Sequence, residues 1–335
     1  MERESNMDSW RLPSLLLCGV ALSSCSGAGS SFSSSNLLPQ GHAVRSLVRS
    51  AAVTYTYQTV DETGLTTNAV NGINNSSEIV GAAGTGVSGL SVGYSATPPY
   101  GSFASITDFG SVATVATSIS SSSTTPIIAG YVVGPPQLRG TWGFVIFNGL
   151  MSLFKDRKEG TGNGAATEIL GINNSDFAVG FYTTGSGGNI PIVIDIPNKK
   201  FTGLKPAGMK SGEATGINAV NDVAGWEKTS SQTIGFFERV GSYYTVAYPG
   251  AVLTEALAIN SSDQIAGYYQ DSHGVNHGFI LTGPTESPSQ QVWQSIDETN
   301  AANGTVVTGI NDNGDISGYY VDASNVQHGF VGVPN

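Results

Sequence analysis

From about residue 53 onward the chain alternates short apolar runs with polar breaks. Runs such as "TVVTGI" (305–310), "DISGYY" (315–320) and "HGFVGV" (328–333) are rich in Val, Ile, Thr and aromatic residues and stop at Asn, Asp, Ser or Gly. Runs this short, with β-branched and aromatic enrichment and turn residues between them, predict β-strands joined by tight turns.

The pattern repeats. "GINDNGDISGYYVDASNVQHGF" (309–330) has a near copy in "AINSSDQIAGYYQDSHGVNHGF" (258–279). Shorter copies are "NGINNSSEIVG", "LGINNSDFAVGFY" and "TGINAVNDVAGW", and "TSISSSSTTPIIAGYV" is a degenerate one. They set anchor isoleucines at Ile73, Ile119, Ile172, Ile217, Ile259 and Ile310, spaced 42 to 53 residues apart. Behind each anchor comes a run like "QIAGYYQD", then one like "HGFIL", then one like "YYTVAYPG" or "VWQSIDET". Four strands per unit of this length is the arithmetic of a β-propeller blade.

The last unit ends at "HGFVGVPN" without a fourth strand, while an orphan strand, "VTYTYQTVDE" (53–62), precedes the first anchor. The expectation is therefore an all-β propeller of six four-stranded blades, closed by an N-terminal strand that completes the last blade. Closure removes the open edge of a linear array. A seventh sheet would fit only in the long interval between Ile119 and Ile172.

Charged residues are 12% of the chain, against about 25% in average proteins. The 14 Lys and Arg against 25 Asp and Glu give a net charge of −11, which repels phosphate backbones and excludes nucleic acid as a partner. The domain is expected to be a monomer.

The first residues divide the chain further. "LPSLLLCGVALSSCSGAGSS" is an apolar run of signal-peptide length ending in small residues, too short for a stable transmembrane helix. Leu22, Ser23, Ser24 and Cys25 resemble the lipobox of bacterial lipoproteins, which implies lipidation at Cys25. Glu2, Glu4 and Asp8 dilute the usual positive start, and translation from Met7 would remove two of them. An ordinary secretory cleavage near Ala28 is the alternative, and it exports the protein equally. The resulting division is a signal peptide (1–24), a Ser/Gly-rich tether (25–52) and the propeller (53–335). Ser26 after the Cys resembles the outer-membrane-sorted type, facing the periplasm or the cell surface. With Cys18 and Cys25 both in this segment, lipidation leaves no thiol for a disulfide or a nucleophile.

The wording "TGIN", then "GYY", then "HGF" resembles the HAF-type repeats of bacterial extracellular proteins over 53–335. The units around Ile119 and Ile172 depart from it, the second having "NIPIVI" in place of "HGF". The resemblance implies export and a β-propeller-like fold; the family has no general activity and supplies no catalytic residues.

The repeated polar residues carry the remaining candidates. Asn74, Asn173, Asn218, Asn260 and Asn311 follow the anchors, and as turn formers they bond their own backbone. Asn313-Gly314 is a pair suited to a type I′ hairpin. Glu78, Asp176, Asp222, Asp263 and Asp315 would form an acidic ring in a closed propeller, able to take Ca²⁺ or a basic partner. "NDNGD" (311–315) resembles part of a calcium loop but lacks the downstream bidentate Glu. The "HGF" motif changes to "WGF" at Trp142, "IGF" at Ile234 and "GSF" at Gly101, which suits a packing position better than a catalytic His. Asp271, His273 and His277 are close enough in sequence for a metal site. "GLSVG" (89–93) and "GTGVSG" (84–89) match enzyme fingerprints by composition alone, since no helix follows them.

Three functions remain. The first is a non-catalytic, lipid-anchored propeller that binds a protein or glycan. The second is a polysaccharide hydrolase or lyase, with paired carboxylates and an aromatic such as Trp226, Tyr268 or Tyr319 around the channel. The third is an adhesin-like surface protein. No catalytic set and no obligatory cofactor is legible.

Overall fold

A computed structural model describes residues 53–335 except 86–89, 108–109, 123–124, 135–138, 162–163 and 284. Cys25, the signal peptide and the tether lie outside the described residues. Six four-stranded antiparallel sheets are present, as the repeats predict. Blade 1 is Thr67–Ile73, Ile79–Gly84, Ser91–Ala96 and Phe103–Ile106. Blade 2 is Ala113–Ile119, Ile128–Val133, Thr141–Phe147 and Leu150–Phe154. Blade 3 is Thr167–Ile172, Phe177–Thr183, Asn189–Asp195 and Lys200–Gly203. Blade 4 is Ser211–Ile217, Val223–Lys228, Thr233–Arg239 and Ser242–Val246. Blade 5 is Leu253–Ile259, Ile265–Gln270, Asn276–Thr282 and Val292–Ile296.

Blade 6 takes Thr305–Ile310, Ile316–Val321 and Gln327–Pro334 from one end of the domain and Tyr55–Val60 from the other. The closing strand pairs from Tyr55↔Pro334 to Val60↔Gly329, and Asn335 N–H adds a bond to the Thr54 carbonyl (2.9 Å). The interval between Ile119 and Ile172 holds one blade and a long connection, with no seventh sheet among the described residues. A single 3₁₀ turn, Pro288–Gln290, is the described helical element, and no described helix is long and apolar enough to cross a membrane.

Apolar cores fill the gaps between blades. Ile127, Ala129, Val145 and Phe154 of blade 2 pack with Ile169, Ile172 and Ile192 of blade 3, for example. Every innermost strand carries a β-bulge in the same place, at Asn71, Thr117, Leu170, Thr215, Leu257 and Thr308. The bulge pushes the inner carbonyl toward the second strand, and each second strand answers with a glycine: Gly81, Gly130, Gly180, Gly225, Gly267 and Gly318. A Cβ at any of these six would overlap the carbonyl oxygen of Ala69, Val115, Glu168, Glu213, Glu255 or Val306. Across most of these glycines lies the third-strand aromatic, as Phe144, Phe236 and Phe330 do, each at most 1% exposed. The recurrent "G" and "F" of the repeat are thus two halves of one packing unit.

Two sequence expectations shift here. The blade 1 counterpart of "HGF" is Val92-Gly93-Tyr94 in the third strand, whereas "GSF" at Gly101 leads into the fourth strand at Phe103. The Asn313-Gly314 turn is not type I′, because Gly314 has φ +85° while Asn313 keeps a negative φ. Gly314 N–H bonds the Asn311 carbonyl (3.2 Å), so one left-handed residue suffices to close the turn.

Candidate functional site

The anchor turns meet around the axis at one end of the ring. Each anchor Asn accepts, at Oδ1, the backbone N–H groups two and four residues on, as Asn311 does from Asn313 (3.0 Å) and Asp315 (2.9 Å). Its Nδ2 donates to the matching carbonyl of the next blade: Asn173 to Asn218 (2.9 Å), Asn260 to Asn311 (3.0 Å), Asn311 to Asn74 (2.9 Å) and Asn74 to Ser120 (3.3 Å). Asn218 to Asn260 is longer, at 3.5 Å. The amides therefore form a hoop across five seams. Blade 2 has Ser120 instead, whose hydroxyl accepts Ile127 N–H (2.9 Å), so the seam between blades 2 and 3 lacks this link.

Inside the hoop, Gly72 and Ser118, or Gly216 and Ala258, approach so closely that an added methyl would touch the neighbouring Cα at about 3 Å. The cavity left is about 100 Å³, and among the described residues Asp312 is its one acidic lining residue. Asp312 is engaged by Asn75 Nδ2 (2.8 Å) and Ser261 N–H (2.7 Å).

The expected ring of equivalent acids does not form, because its members sit at two different turn positions. Glu78, Asp222 and Asp315 stand four residues after the anchor Asn. Asp176 and Asp263 stand three after it, at the left-handed position (φ 61° and 59°) that Ser77, Asn221 and Gly314 fill elsewhere. Arg239 gathers two of the five, bonding Asp222 (2.7 Å) and Asp263 (2.6 Å), and reaches Glu286 as well (2.8 Å). Asp315 accepts Asn311 Nδ2 (2.9 Å) and Ser77 Oγ (3.0 Å). Glu78 accepts Asn74 Nδ2 (2.8 Å) and edges a groove of about 290 Å³ between blades 1 and 2. Asp176 is exposed. Among the described residues, no group of three or more His, Cys, Asp or Glu side chains is arranged to hold a metal ion.

The opposite rim is where the units differ. In blade 5 the "HGF" histidine, His277, stacks on Tyr269 (5.2 Å) and bonds Asp297 through Nδ1 (2.7 Å), with Asp271 3.6 Å from Nε2. In blade 6, His328 stacks on Tyr320 (5.1 Å) between Asp61 (2.6 Å) and Asp322 (3.5 Å). Burial pulls the His328 pKa down, but the bond to Asp61 and the charges of both aspartates outweigh it and leave it raised. Asp271 does meet His273 (3.4 Å), and the Val275 amide chiefly, with His273, holds its carboxyl down at about 2. In blade 2 the same two positions are Trp142 and Lys155, the ammonium lying 4.8 Å from the indole centroid.

A second group went unread in the sequence. Glu168, Glu213 and Glu255 occupy the same position on the innermost strands of blades 3, 4 and 5, where the other blades have Ala69, Val115 and Val306. Each pairs across to an aromatic residue: Phe181, Trp226 and Tyr268. Glu168 is fully buried and neither of its oxygens has a hydrogen-bond partner. Burial raises its pKa to about 8. Glu213, 1% exposed, is pushed well up by burial and then by Glu168 and Glu255, against a bond from Asn189 Nδ2 (2.8 Å). Burial raises Glu255 to about 7, opposed by a bond from Tyr268. The signal was present, since "TEILGIN", "GEATGIN" and "TEALAIN" place a Glu at one offset from the anchor in three successive units.

No family model matches this sequence, and no curated protein is similar to it. Similar solved structures include the fucose-recognising lectin of Aleuria aurantia, a six-bladed β-propeller, at 12% identity and a TM-score of 0.49, over 82% of this chain and 93% of the lectin. TolB from Acinetobacter baumannii matches at 9% identity and 0.47, over 73% and 60%. YCF48 from Cyanidioschyzon merolae matches at 11% and 0.40, over 79% and 82%. Likeness this slight carries no argument about a ligand.

Proposed function

We propose that the protein is an exported, non-catalytic binding propeller, anchored in the bacterial outer membrane by a lipid on Cys25, that offers its rim to a glycan or protein partner. One observation carries this reading. Six blades share the same bulge and facing glycine, and five of them the same amide turn, yet they set different chemistry at one rim station: His with Asp in blades 5 and 6, Trp with Lys in blade 2. A constant frame with a variable rim is the usual arrangement of a recognition module. The HAF-type wording and the lipobox support export and anchoring.

Full-length protein on a glycan array, with Ca²⁺ titrated by calorimetry, tests the binding role. Saturable binding without change to the glycan is expected, and new reducing ends or unsaturated products would replace the reading with the hydrolase or lyase. That alternative draws on the raised glutamates, since a carboxyl that keeps its proton near neutrality can serve as a general acid. It requires a sugar to reach Glu213, which is 1% exposed. For the anchor, palmitate labelling should vanish in Cys25→Ala.

A further inference from the structure

The rim of blade 2 differs in charge from the rest of the ring. Of the 14 Lys and Arg, Arg3, Arg11, Arg45 and Arg49 precede the propeller, and the other ten all fall between Arg139 and Arg239. Blades 5, 6 and 1 carry acids and no Lys or Arg. Arg139, Lys155 and Arg157 converge on a groove of about 470 Å³ at the rim of blade 2. The two acids in that groove are already engaged. Glu159 bonds Lys155 (2.8 Å) and Thr167 Oγ1 (2.6 Å), and Asp156 accepts Lys158 N–H (2.8 Å). Both acids are buried, whereas Arg139 and Arg157 are exposed and, among the described residues, without an ion pair. Next to the groove, Trp142 lies under the Lys155 ammonium, and its Nε1–H bonds the Arg139 carbonyl (3.4 Å).

We propose that this groove binds a carboxylate-bearing sugar, a uronic acid residue of a glycan; the inference rests on the binding reading above and names its ligand. Two unpaired guanidinium groups present planar forks that match a carboxylate, which an ammonium matches less well. The groove lies within the usual size range of small-ligand sites, roughly 300–1,000 Å³, so it admits one or two sugar rings. The net charge of −11 works against dense polyanions, while a uronate brings one charge per ring.

The test uses full-length protein and calorimetry with three probes: oligogalacturonate, its carboxyl-reduced counterpart, and a polyglutamate peptide of equal charge. Oligogalacturonate should bind, with affinity falling at least tenfold in the Arg139→Ala/Arg157→Ala double variant and on raising salt to 0.5 M. The reduced sugar and the peptide should not bind measurably. Equal binding of the peptide would show an unspecific anion surface, and unchanged affinity in the double variant would place the site elsewhere; either overturns the proposal. If oligogalacturonate fails while neutral glycans bind on the array, this inference falls and the binding role stands. If no glycan binds at all, both the inference and the glycan form of that role fall. Matching melting curves of wild type and variant keep misfolding from imitating a lost site.

Discussion

Blades 2 and 6 hold opposite charge at one backbone position. After the fourth strand, blade 6 places Asp61 against His328, and blade 2 places Lys155 against Trp142. Beneath that difference the two blades share a bulge, at Thr117 and Thr308, and a glycine facing it, at Gly130 and Gly318. They differ again at the turn end, where Asn311 links to the next blade and Ser120 does not. The strands and the axis are therefore fixed by backbone geometry that every unit must satisfy, whereas the rim is free to vary because its side chains face water on one side.

The sharpest way to break this comparison is at the shared glycines. Gly130→Val and Gly318→Val each drive a side chain into an inner-strand carbonyl, at Val115 and Val306. Each should cost roughly 3 kcal/mol or more and lower the melting temperature by about 10 °C, or abolish soluble expression. Tolerance in one blade and not the other would mean that the units are not equivalent.

A comparable effect is expected at Glu168, on the innermost strand of blade 3, the neighbour of blade 2. Its folded pKa, about 8, stands above the ordinary 4.5, so the native state holds its proton more tightly than the unfolded chain does. Stability from this group is therefore intact below pH 4.5 and is lost as pH rises toward 8. The span corresponds to a loss on the order of 5 kcal/mol. Glu168→Gln should melt like wild type at pH 5 and several degrees higher at pH 9. Parallel melting curves at both pH values would show that the carboxyl is ionised and solvated.

The smallest effects belong to the amide hoop. Asn311→Ala removes two turn bonds, the bond to Asp315 and one link to the next blade, for an expected loss of about 2–3 kcal/mol in chemical denaturation. Ser120→Asn offers blade 2 the missing donor toward blade 3, and a gain of about 1 kcal/mol is expected. A loss there would indicate that the Ile127 bond to the Ser120 hydroxyl matters more than the seam.

Much of this was legible in the residues. The period of the "GIN" anchors and the missing fourth strand of the last unit were enough for six blades and their closure, because each strand must have a partner. The role of Asn as a turn former was legible too, but its second bond was not, since Nδ2 reaches a residue about 42 to 51 positions away or, from Asn311, back to Asn74. The acids do not fall into one ring of equivalents because a one-residue offset within a turn, Asp263 against Asp222, changes the backbone conformation, although both carboxylates still reach Arg239. The Trp142 and Lys155 pair was hidden for a related reason. The two lie on neighbouring strands, and only pairing Gly143 with Phe154 places them together.

The strand that closes the ring also sets an order of events. Tyr55–Val60 precedes every blade, yet its partner among the described residues, Gln327–Pro334, follows the other described strands. Without that partner, Tyr55–Val60 is unpaired and Ile316–Val321 keeps one open edge. A chain that stalls at this stage would present two sticky edges, and the domain becomes safe from its neighbours only when its first words meet its last.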